Sequence, residues 1–216
     1  MKPKRFNEEV AKLSAEQRSA IEQLCTAKSA IPQRKTSSKT VTPEHTNSYV
    51  VDMKFRFGII PSVVSSMLNN DIDVPSRING LQQTKSIIEN MKEDEMKKFV
   101  PHLHSYFVTL GNVLDDLNFQ AIVLCLELIS ISVQRLGNNV AAHVQQVISI
   151  TSKHFGNQKV TIKRLIMAIC MNLMSNVTPK IVVAYLCEYL EHRSSRVREE
   201  ITNVITCALL TFGDSK

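Results

Sequence analysis

Histidines and paired carboxylates are the residues that could support catalysis or bind a metal, so their spacing is the first test of function. The six histidines are scattered, and only His102 and His104 lie close together. On a helix these two would point about 200° apart and could not share a ligand. Asp115 and Asp116 are adjacent, but acids at a helix start commonly stabilise the helix. The sequence has no phosphate-binding glycine loop, nucleophile elbow or HExxH motif, so we predict no enzyme activity, cofactor or metal.

Charged residues instead cluster in the polar breaks between apolar segments, where they could bind another macromolecule. The first two breaks are mainly acidic and the last two mainly basic. In order, the breaks contain Asp71, Asp73 and Arg77; Asp115 and Asp116; Lys153, Lys159, Lys163 and Arg164; and Arg193, Arg196 and Arg198. Aligned along one edge of a stacked array, such charges would complement an acidic protein surface and speed encounter. The alternative is that they belong to ordinary solvated turns, with partners three or four residues away.

An apolar helix, a polar break and a second apolar helix recur four times. Pro61 and Pro101 are 40 residues apart, Pro179 follows Pro101 after 78, and Ala141 takes the position between them. Proline is tolerated early in a helix because the first N–H groups have no intrahelical partner. A period of about 40 residues is typical of HEAT and armadillo arrays. We therefore predict an all-α HEAT-repeat solenoid of about four helix pairs and no sheet, with pairs near residues 57–91, 97–136, 139–175 and 178–212.

The apolar spacing also predicts each helix within these pairs. The first helices are predicted at residues 59–68, 99–108, 139–148 and 177–186. The second helices are predicted at residues 75–91, 118–136, 158–174 and 194–212.

The first fifty residues differ in composition from the repeats. They contain nine Lys and Arg against five Asp and Glu, with many Ser, Thr, Gln and Pro. Such a segment cannot bury enough apolar surface to order itself, so we predict a basic, largely disordered tail over residues 1–50. Ser14 and Gln17 form a capping-box pattern ahead of spaced apolar residues, which predicts a short helix at residues 14–27. Without the tail, residues 51–216 carry a net charge of only +2, too little for a nucleic-acid groove.

The five cysteines form no CxxC pair and no short metal-ligand spacing. Four of them lie in apolar helical segments, which favours small buried side chains in a reducing compartment. The sequence has no charge-free run of the roughly 18 to 20 residues that a membrane span needs, and its first residues lack a secretory apolar core. We therefore predict a soluble intracellular protein with no membrane partner.

Several of these segments are similar to a known family. SSRVREEITNVITCALLTF and the NQKVTIKR break before it resemble the TOG domains of microtubule regulators, in particular those of crescerin-type ciliary proteins and their CLASP relatives. DVPSRINGLQQTKSIIEN resembles the opening of a TOG domain, and LDDLNFQAIVLCLELI resembles its second repeat. The resemblance covers about residues 55–212. It implies the HEAT-type fold predicted above.

TOG domains bind tubulin through the edge formed by the breaks within each repeat. The resemblance therefore implies tubulin contacts from Val74, Ser76, Arg77, Asn118, Phe119, Lys159, Arg196 and Arg198. Val74 departs from the family pattern, because many tubulin-binding members have a tryptophan there. Valine keeps an apolar contact but buries less area, at about 25 cal/mol per Å². Arg196 and Arg198 have an alternative role, in which they pair with Glu199 or Glu200 or cap a helix.

We predict from this resemblance a tubulin- or microtubule-binding domain that regulates microtubule assembly, located in the cytoplasm and cytoskeleton, with the cilium as a further location. The alternative is a HEAT-repeat scaffold for a different protein. TOG domains have about six helix pairs, whereas four are evident here. The fourth pair is apolar on many sides, which predicts an exposed outer face and leaves self-association open.

Overall fold

A computed structural model describes residues 54–69 and 73–213 of the chain. Two short strands precede the helices, β1 (Phe55–Arg56) and β2 (Ile60–Pro61). The α-helices are α1 (Ser62–Leu68), α2 (Val74–Glu89), α3 (Glu93–Phe99), α4 (Leu103–Val113), α5 (Phe119–Leu136), α6 (Val144–Ser152), α7 (Val160–Asn176), α8 (Pro179–Cys187) and α9 (Ser195–Phe212). Three 3₁₀ segments cover Val100–His102, Gly137–His143 and Glu188–Glu191.

The helices form four successive pairs, and the second helices of neighbouring pairs pack side by side. In chain order α2 packs on α5, α5 on α7 and α7 on α9. These second helices begin at residues 74, 119, 160 and 195, close to the predicted starts, because a long apolar stripe sets the helical period. The predicted all-α HEAT-repeat class is confirmed.

Three of the first helices are shorter than predicted, and that of the second pair begins earlier, at Glu93, and is broken in two. Pro179 is the first residue of α8 and Pro61 immediately precedes α1, positions where a missing N–H costs little. Pro101 and Ala141 instead lie within 3₁₀ segments. The first helix of the second pair is therefore split into α3 and α4, with the break at the proline that removes a helical donor.

The apolar stretch before α1 is a β-hairpin, so the predictions of no sheet and of a helix from Ile59 were wrong. Phe55 pairs with Pro61 and Arg56 with Ile60 in antiparallel register. Phe57 and Gly58 at the turn have φ angles of 55° and 78°. Two consecutive positive φ angles are typical of the tight turns that join antiparallel strands. A short apolar run does not by itself distinguish a strand from a helix.

Gly58 is expected to be essential to this hairpin. A Cβ added at Gly58 would clash with the backbone oxygen of Lys98, at a φ angle that side chains rarely adopt. We expect Gly58→Ala to lower the free energy of unfolding by about 2 kcal/mol, combining left-handed strain with a clash that α3 must move to relieve. Thermal unfolding followed by circular dichroism measures the loss.

Gly137 provides the comparison for that variant. Its φ angle is 54°, but an added Cβ would meet nothing within 4 Å. Gly137→Ala therefore carries only the backbone strain. Equal losses at Gly58 and Gly137 would contradict a steric role for the contact between the hairpin and α3.

One continuous core runs through the described part of the array. Its largest fully buried side chains include Tyr106, Phe99, Phe107 and Phe155. Residues 119–152 are long and apolar enough to cross a membrane by length and composition, but half of the most apolar window is buried inside the structure. Helix α5 also ends at Leu136, where Gly137 adopts a positive φ. The apolar stretch is therefore a core helix, α5, followed by a separate helix, α6.

Two features of the apolar surface differ from the sequence prediction. Cys125 and Cys170 are buried, and burial raises the pKa of the Cys170 thiol to about 12, but Cys187 is exposed and Cys207 partly so. In the fourth pair the apolar residues Val182, Leu186, Ile201 and Val204 are buried. The exposed ones are Ile181, Leu190, Leu209 and Leu210. The fourth pair therefore keeps an exposed apolar surface, as predicted, but a smaller one, because α8 and α9 turn Val182, Leu186, Ile201 and Val204 inward.

The predicted helix at residues 14–27 lies outside the described residues. The same is true of Asp71, which belongs to the gap at residues 70–72.

Candidate functional site

The loops within the four helix pairs lie next to one another in chain order. We number them loop 1 (69–73, described at 69 and 73), loop 2 (114–118), loop 3 (153–159) and loop 4 (192–194). Loops 2 and 3 are joined twice. Lys153 Nζ lies 2.6 Å and 2.7 Å from the two carboxylate oxygens of Asp115, and His154 Nε2 lies 2.9 Å from the Leu114 carbonyl oxygen. We call this row of loops, with the first turns of the helices that follow them, the loop edge.

Arg77 and Asp116 form the buried contact of the loop edge. Arg77 is in the first turn of α2, and its Nη1 lies 3.0 Å from Asp116 Oδ2, without the alignment of a hydrogen bond. Both side chains are only 8% exposed. A buried ion pair of this kind holds loop 2 against α2. Arg77, which the family resemblance implies as a tubulin contact, therefore faces inward in this structure.

Asn118 shapes the end of loop 2. Its side-chain oxygen accepts hydrogen bonds from the backbone N–H groups of Gln120 (2.9 Å) and Ala121 (3.1 Å), which caps the N-terminus of α5. Its own N–H donates to Asp116 Oδ1 at 2.9 Å. Asp116 and Asn118 therefore fix the loop and the helix start.

The same turn exposes apolar side chains to solvent. Leu117 is 99% exposed and Phe119 46% exposed, and Val160 in the first turn of α7 is 59% exposed. Lys159 Nζ lies 5.5 Å from the centre of the Phe119 ring, a cation–π distance that links loop 3 to α5. We call Leu117, Phe119, Lys159 and Val160 the apolar patch.

The sequence pointed to Phe119 and Lys159 but missed Leu117 and Val160. A single leucine between two polar residues of a break, Asp116 and Asn118, and a valine directly after a break are the signals that could have found them.

Arg198 and Arg196 make different contacts at the other end of the loop edge. Arg198 Nη1 donates to the carbonyl oxygens of His192 (2.7 Å) and Arg193 (3.2 Å), so it fixes the backbone of loop 4. Arg196 is exposed and donates to the Gln158 side-chain oxygen when that amide is oriented toward it, with Nη2 at 3.2 Å. Neither contact is the predicted pairing with Glu199 or Glu200.

The buried carboxylate of α9 has a different partner. Glu200 is 4% exposed, and its Oε2 lies 3.0 Å from Lys163 Nζ. This ion pair ties the start of α7 to α9, so the third and fourth pairs are also joined beside the loop edge.

Val74 and Ser76 open α2 beside loop 1, and both are half-buried. Valine at this position offers less contact area than the tryptophan of many TOG domains. Across the described residues no group of three or more His, Cys, Asp or Glu could hold a metal ion. His102, at the end of a 3₁₀ segment, and His104, in α4, are both exposed and do not join a site.

No protein-family model matches this sequence, but individual proteins do. The chain is 42% identical to the crescerin-like protein che-12 of Caenorhabditis elegans over 165 residues, which is 76% of this chain and 13% of that protein. It is 35% identical over 159 residues to the TOG array regulator of axonemal microtubules protein 1 of Homo sapiens, covering 73% of this chain and 9% of that protein. The chain thus spans about a tenth of the length of these relatives.

Two solved structures share the fold. One is a structure of crescerin, which is described as using a TOG domain array to regulate microtubules in the primary cilium. Its TM-score with this chain is 0.62 at 30% identity, over 73% of this chain and 62% of that one. The N-terminal domain of MAST/Orbit has a TM-score of 0.57 at 16% identity, over 69% of this chain and 66% of that one, and supports the fold alone.

Proposed function

We propose that this array, which is a TOG domain of the crescerin type, binds tubulin through its loop edge and thereby influences microtubule assembly. The relatives are named for the regulation of axonemal and ciliary microtubules. We accordingly place the protein in the cytoplasm, with the cytoskeleton and the cilium as its sites of action. Its role there is binding, with no catalytic step.

The observation that carries this proposal is the apolar patch on the loop edge. Leu117 and Phe119 are exposed at a turn that Asp116 and Asn118 hold in place. Exposed apolar groups beside a cation, on a preformed surface, are typical of protein interfaces, where a few aromatic and aliphatic side chains supply most of the affinity. The fixed turn lowers the entropy lost on binding.

The predicted site residues divide into two groups by their surroundings. Val74, Ser76, Phe119, Lys159 and Arg196 retain exposed or half-exposed surface and are proposed as tubulin contacts. Arg77, Asn118 and Arg198 are proposed to hold the loops that present those contacts, since their polar groups bond within the array.

The proposed mechanism depends on the rigidity of the loop edge. Contacts between successive loops join Arg77 to Asp116, Asp115 to Lys153 and Gln158 to Arg196. An edge of fixed shape has different affinities for tubulin in curved and straight forms. A binder of that kind shifts the equilibrium between the two forms by its difference in affinity.

Replacing Leu117 with aspartate tests the proposal directly. We expect Leu117→Asp to weaken tubulin binding about tenfold, because it places a charge where an apolar contact is lost. Fluorescence anisotropy of labelled tubulin gives the affinity, and co-migration on a sizing column with sedimentation of stabilised microtubules separates dimer binding from lattice binding.

Leu210→Asp is the matched control for this variant. Leu210 is 81% exposed, but it lies near the C-terminal end of α9, far along that helix from loop 4. The control should bind tubulin as the unaltered chain does. Equal loss in both variants would contradict a specific role for the apolar patch, and no binding by the unaltered chain would favour a scaffold for a different protein.

A further inference from the structure

A concave, basic cleft lies between loops 3 and 4, apart from the apolar patch. Its volume is about 460 Å³, and the side chains around it include Lys153, Asn157, Tyr189, His192 and Arg193. No Asp or Glu is among the residues that line it. Glu188 and Glu191 are exposed on the adjoining 3₁₀ segment but do not line the cleft. We call it the basic cleft.

Packing beneath the basic cleft keeps it formed. The Tyr189 ring meets the fully buried Phe155 ring edge to face, with centres 5.3 Å apart. Gly156 allows loop 3 to approach α9, since an added Cβ would lie only 3.2 Å from Val197 Cγ2. Val197, which also lines the cleft, is 6% exposed. The cleft therefore has an apolar floor fixed by core residues and needs no rearrangement to accept a ligand.

The polar groups at the rim are donors. Arg193 is exposed, and its guanidinium makes no ion pair or hydrogen bond within the part of the chain described. His192 Nδ1 accepts the Ser194 N–H at 3.1 Å, so the neutral ring carries its proton on Nε2 and remains a donor there. Lys153 adds a second positive group beside Arg193, and it is shared with Asp115. The rim therefore favours an acceptor with negative charge.

Arg198 stabilises the backbone that carries two of these donors. Its Nη1 bonds the carbonyl oxygens of both His192 and Arg193. The positive guanidinium offsets the partial negative charge of these two carbonyls, which would otherwise repel an anion. Loop 4 is thus held in one conformation with its donors exposed.

We infer that the basic cleft binds an extended acidic peptide segment, with a carboxylate at Arg193 and His192 and the aliphatic part of a glutamate against Tyr189. A guanidinium matches a carboxylate in two parallel hydrogen bonds. The cleft has too few cations for a nucleic-acid strand, which needs several phosphates neutralised together. The inference rests on the proposed function only for the identity of the protein that supplies the peptide.

A fluorescent glutamate-rich peptide is the probe, with the same peptide carrying glutamine in place of glutamate as the neutral control. Anisotropy with the full chain at about 0.15 M ionic strength, where charges more than roughly 8 Å apart are largely screened, gives the affinity. We expect Arg193→Glu to weaken binding of the acidic peptide about tenfold, because an attractive contact becomes repulsive. Lys180→Glu makes the same charge change on an exposed residue at the start of α8, away from the cleft, and should change affinity less than twofold.

Carbodiimide cross-linking then locates the peptide. We expect the acidic peptide to couple to Lys153, the lysine that lines the basic cleft. Coupling confined to lysines of residues 1–50, equal loss of affinity in both variants, or tight binding of the glutamine peptide would overturn the inference. Full competition by a single-stranded oligonucleotide would also overturn it, since the cleft would then bind polyanions in general.

Tubulin binding measured on the same samples separates this inference from the proposed function. Tubulin binding without peptide binding would overturn only the inference about the cleft. Peptide binding that requires Arg193, in a chain that does not bind tubulin, would support the basic cleft as a peptide site and overturn tubulin as the proposed partner.

Discussion

Asp116→Ala is expected to lower the free energy of unfolding by about 3 kcal/mol, because it removes the carboxylate that faces a buried guanidinium. Asp116 and Arg77 are each 8% exposed, with 3.0 Å between Oδ2 and Nη1. Water cannot readily replace the lost carboxylate at that depth. The variant also loses the Asp116 oxygen that accepts the Asn118 N–H, so loop 2 should loosen as well.

Asp115→Ala is the matched control, since it changes the neighbouring residue in the same way. Asp115 pairs with Lys153, but the two side chains are 59% and 46% exposed. Exposed pairs are worth about 1 kcal/mol or less, because water solvates both partners when the pair is broken. Urea unfolding followed by circular dichroism compares the two variants.

A double variant distinguishes a lost ion pair from a general packing defect. Arg77→Met with Asp116→Leu removes both charges and keeps apolar volume, so it should recover much of the stability that Asp116→Ala loses. Two results would contradict the assignment of Arg77 as a buried anchor. One is a similar loss of unfolding free energy in Asp115→Ala and Asp116→Ala, and the other is a double variant that is less stable than Asp116→Ala.

The fold was predictable where a long periodic pattern repeats, and less so where the pattern is short. Helices α5 and α9 each run for 18 residues, and their apolar stripes define both helix and face. The hairpin at residues 55–61 was missed because FRFGII is apolar without clear periodicity. Its positive φ angles belong to Phe57 and Gly58 in the three-residue turn, which packs on α3 and α4.

The loop edge shows a different limit of sequence reasoning. The spacing placed Arg77 and Asp116 in polar breaks, where charged residues are normally solvated. Their burial depends on how closely loop 2 approaches α2, a tertiary distance that no local pattern contains. Conversely, Leu117 resembles a core residue in sequence, yet the turn fixed by Asp116 and Asn118 exposes it almost completely.

Arg198 illustrates how this limit affects experiments. The family resemblance implies tubulin contacts from both Arg196 and Arg198, so reversing both charges would be one test of tubulin binding. Arg198 bonds the loop 4 carbonyls, so its reversal would disturb the loop itself as well as any contact. Arg196→Glu alone is the cleaner variant, because that side chain is exposed and reaches only the Gln158 amide in the described array.

Tyr106→Ala is expected to have the largest effect on stability, a loss of about 4 kcal/mol, because it empties the centre of the aromatic core. The Tyr106 ring contacts Phe99, Phe107 and Phe57, with ring centres 4.9, 5.4 and 5.7 Å away. It therefore joins the hairpin, α3 and α4 in one cluster. A cavity of aromatic size at this junction cannot collapse without moving several elements.

Tyr106→Phe is the control that separates the ring from its hydroxyl. Ser132 Oγ donates to the Leu128 carbonyl oxygen, so Tyr106 must donate to Ser132, at 2.7 Å. Burial raises the pKa of Tyr106, which keeps this donor protonated at neutral pH. Removing one buried hydrogen bond should cost about 1 kcal/mol, well below the cost of the cavity. Equal losses in the alanine and phenylalanine variants would show that the hydrogen bond, and not the ring packing, stabilises this junction.

Tubulin binding by the Tyr106 variants connects stability to function. Tyr106 lies near the start of α4, and loop 2 follows the other end of that helix. Under conditions where Tyr106→Ala remains folded, its affinity for tubulin should therefore match that of the unaltered chain. Asp116→Ala, which loosens loop 2 directly, should bind more weakly at the same folded fraction. Weaker binding by both variants in proportion to their lost stability would mean that the whole array, rather than the anchored loop edge, determines affinity.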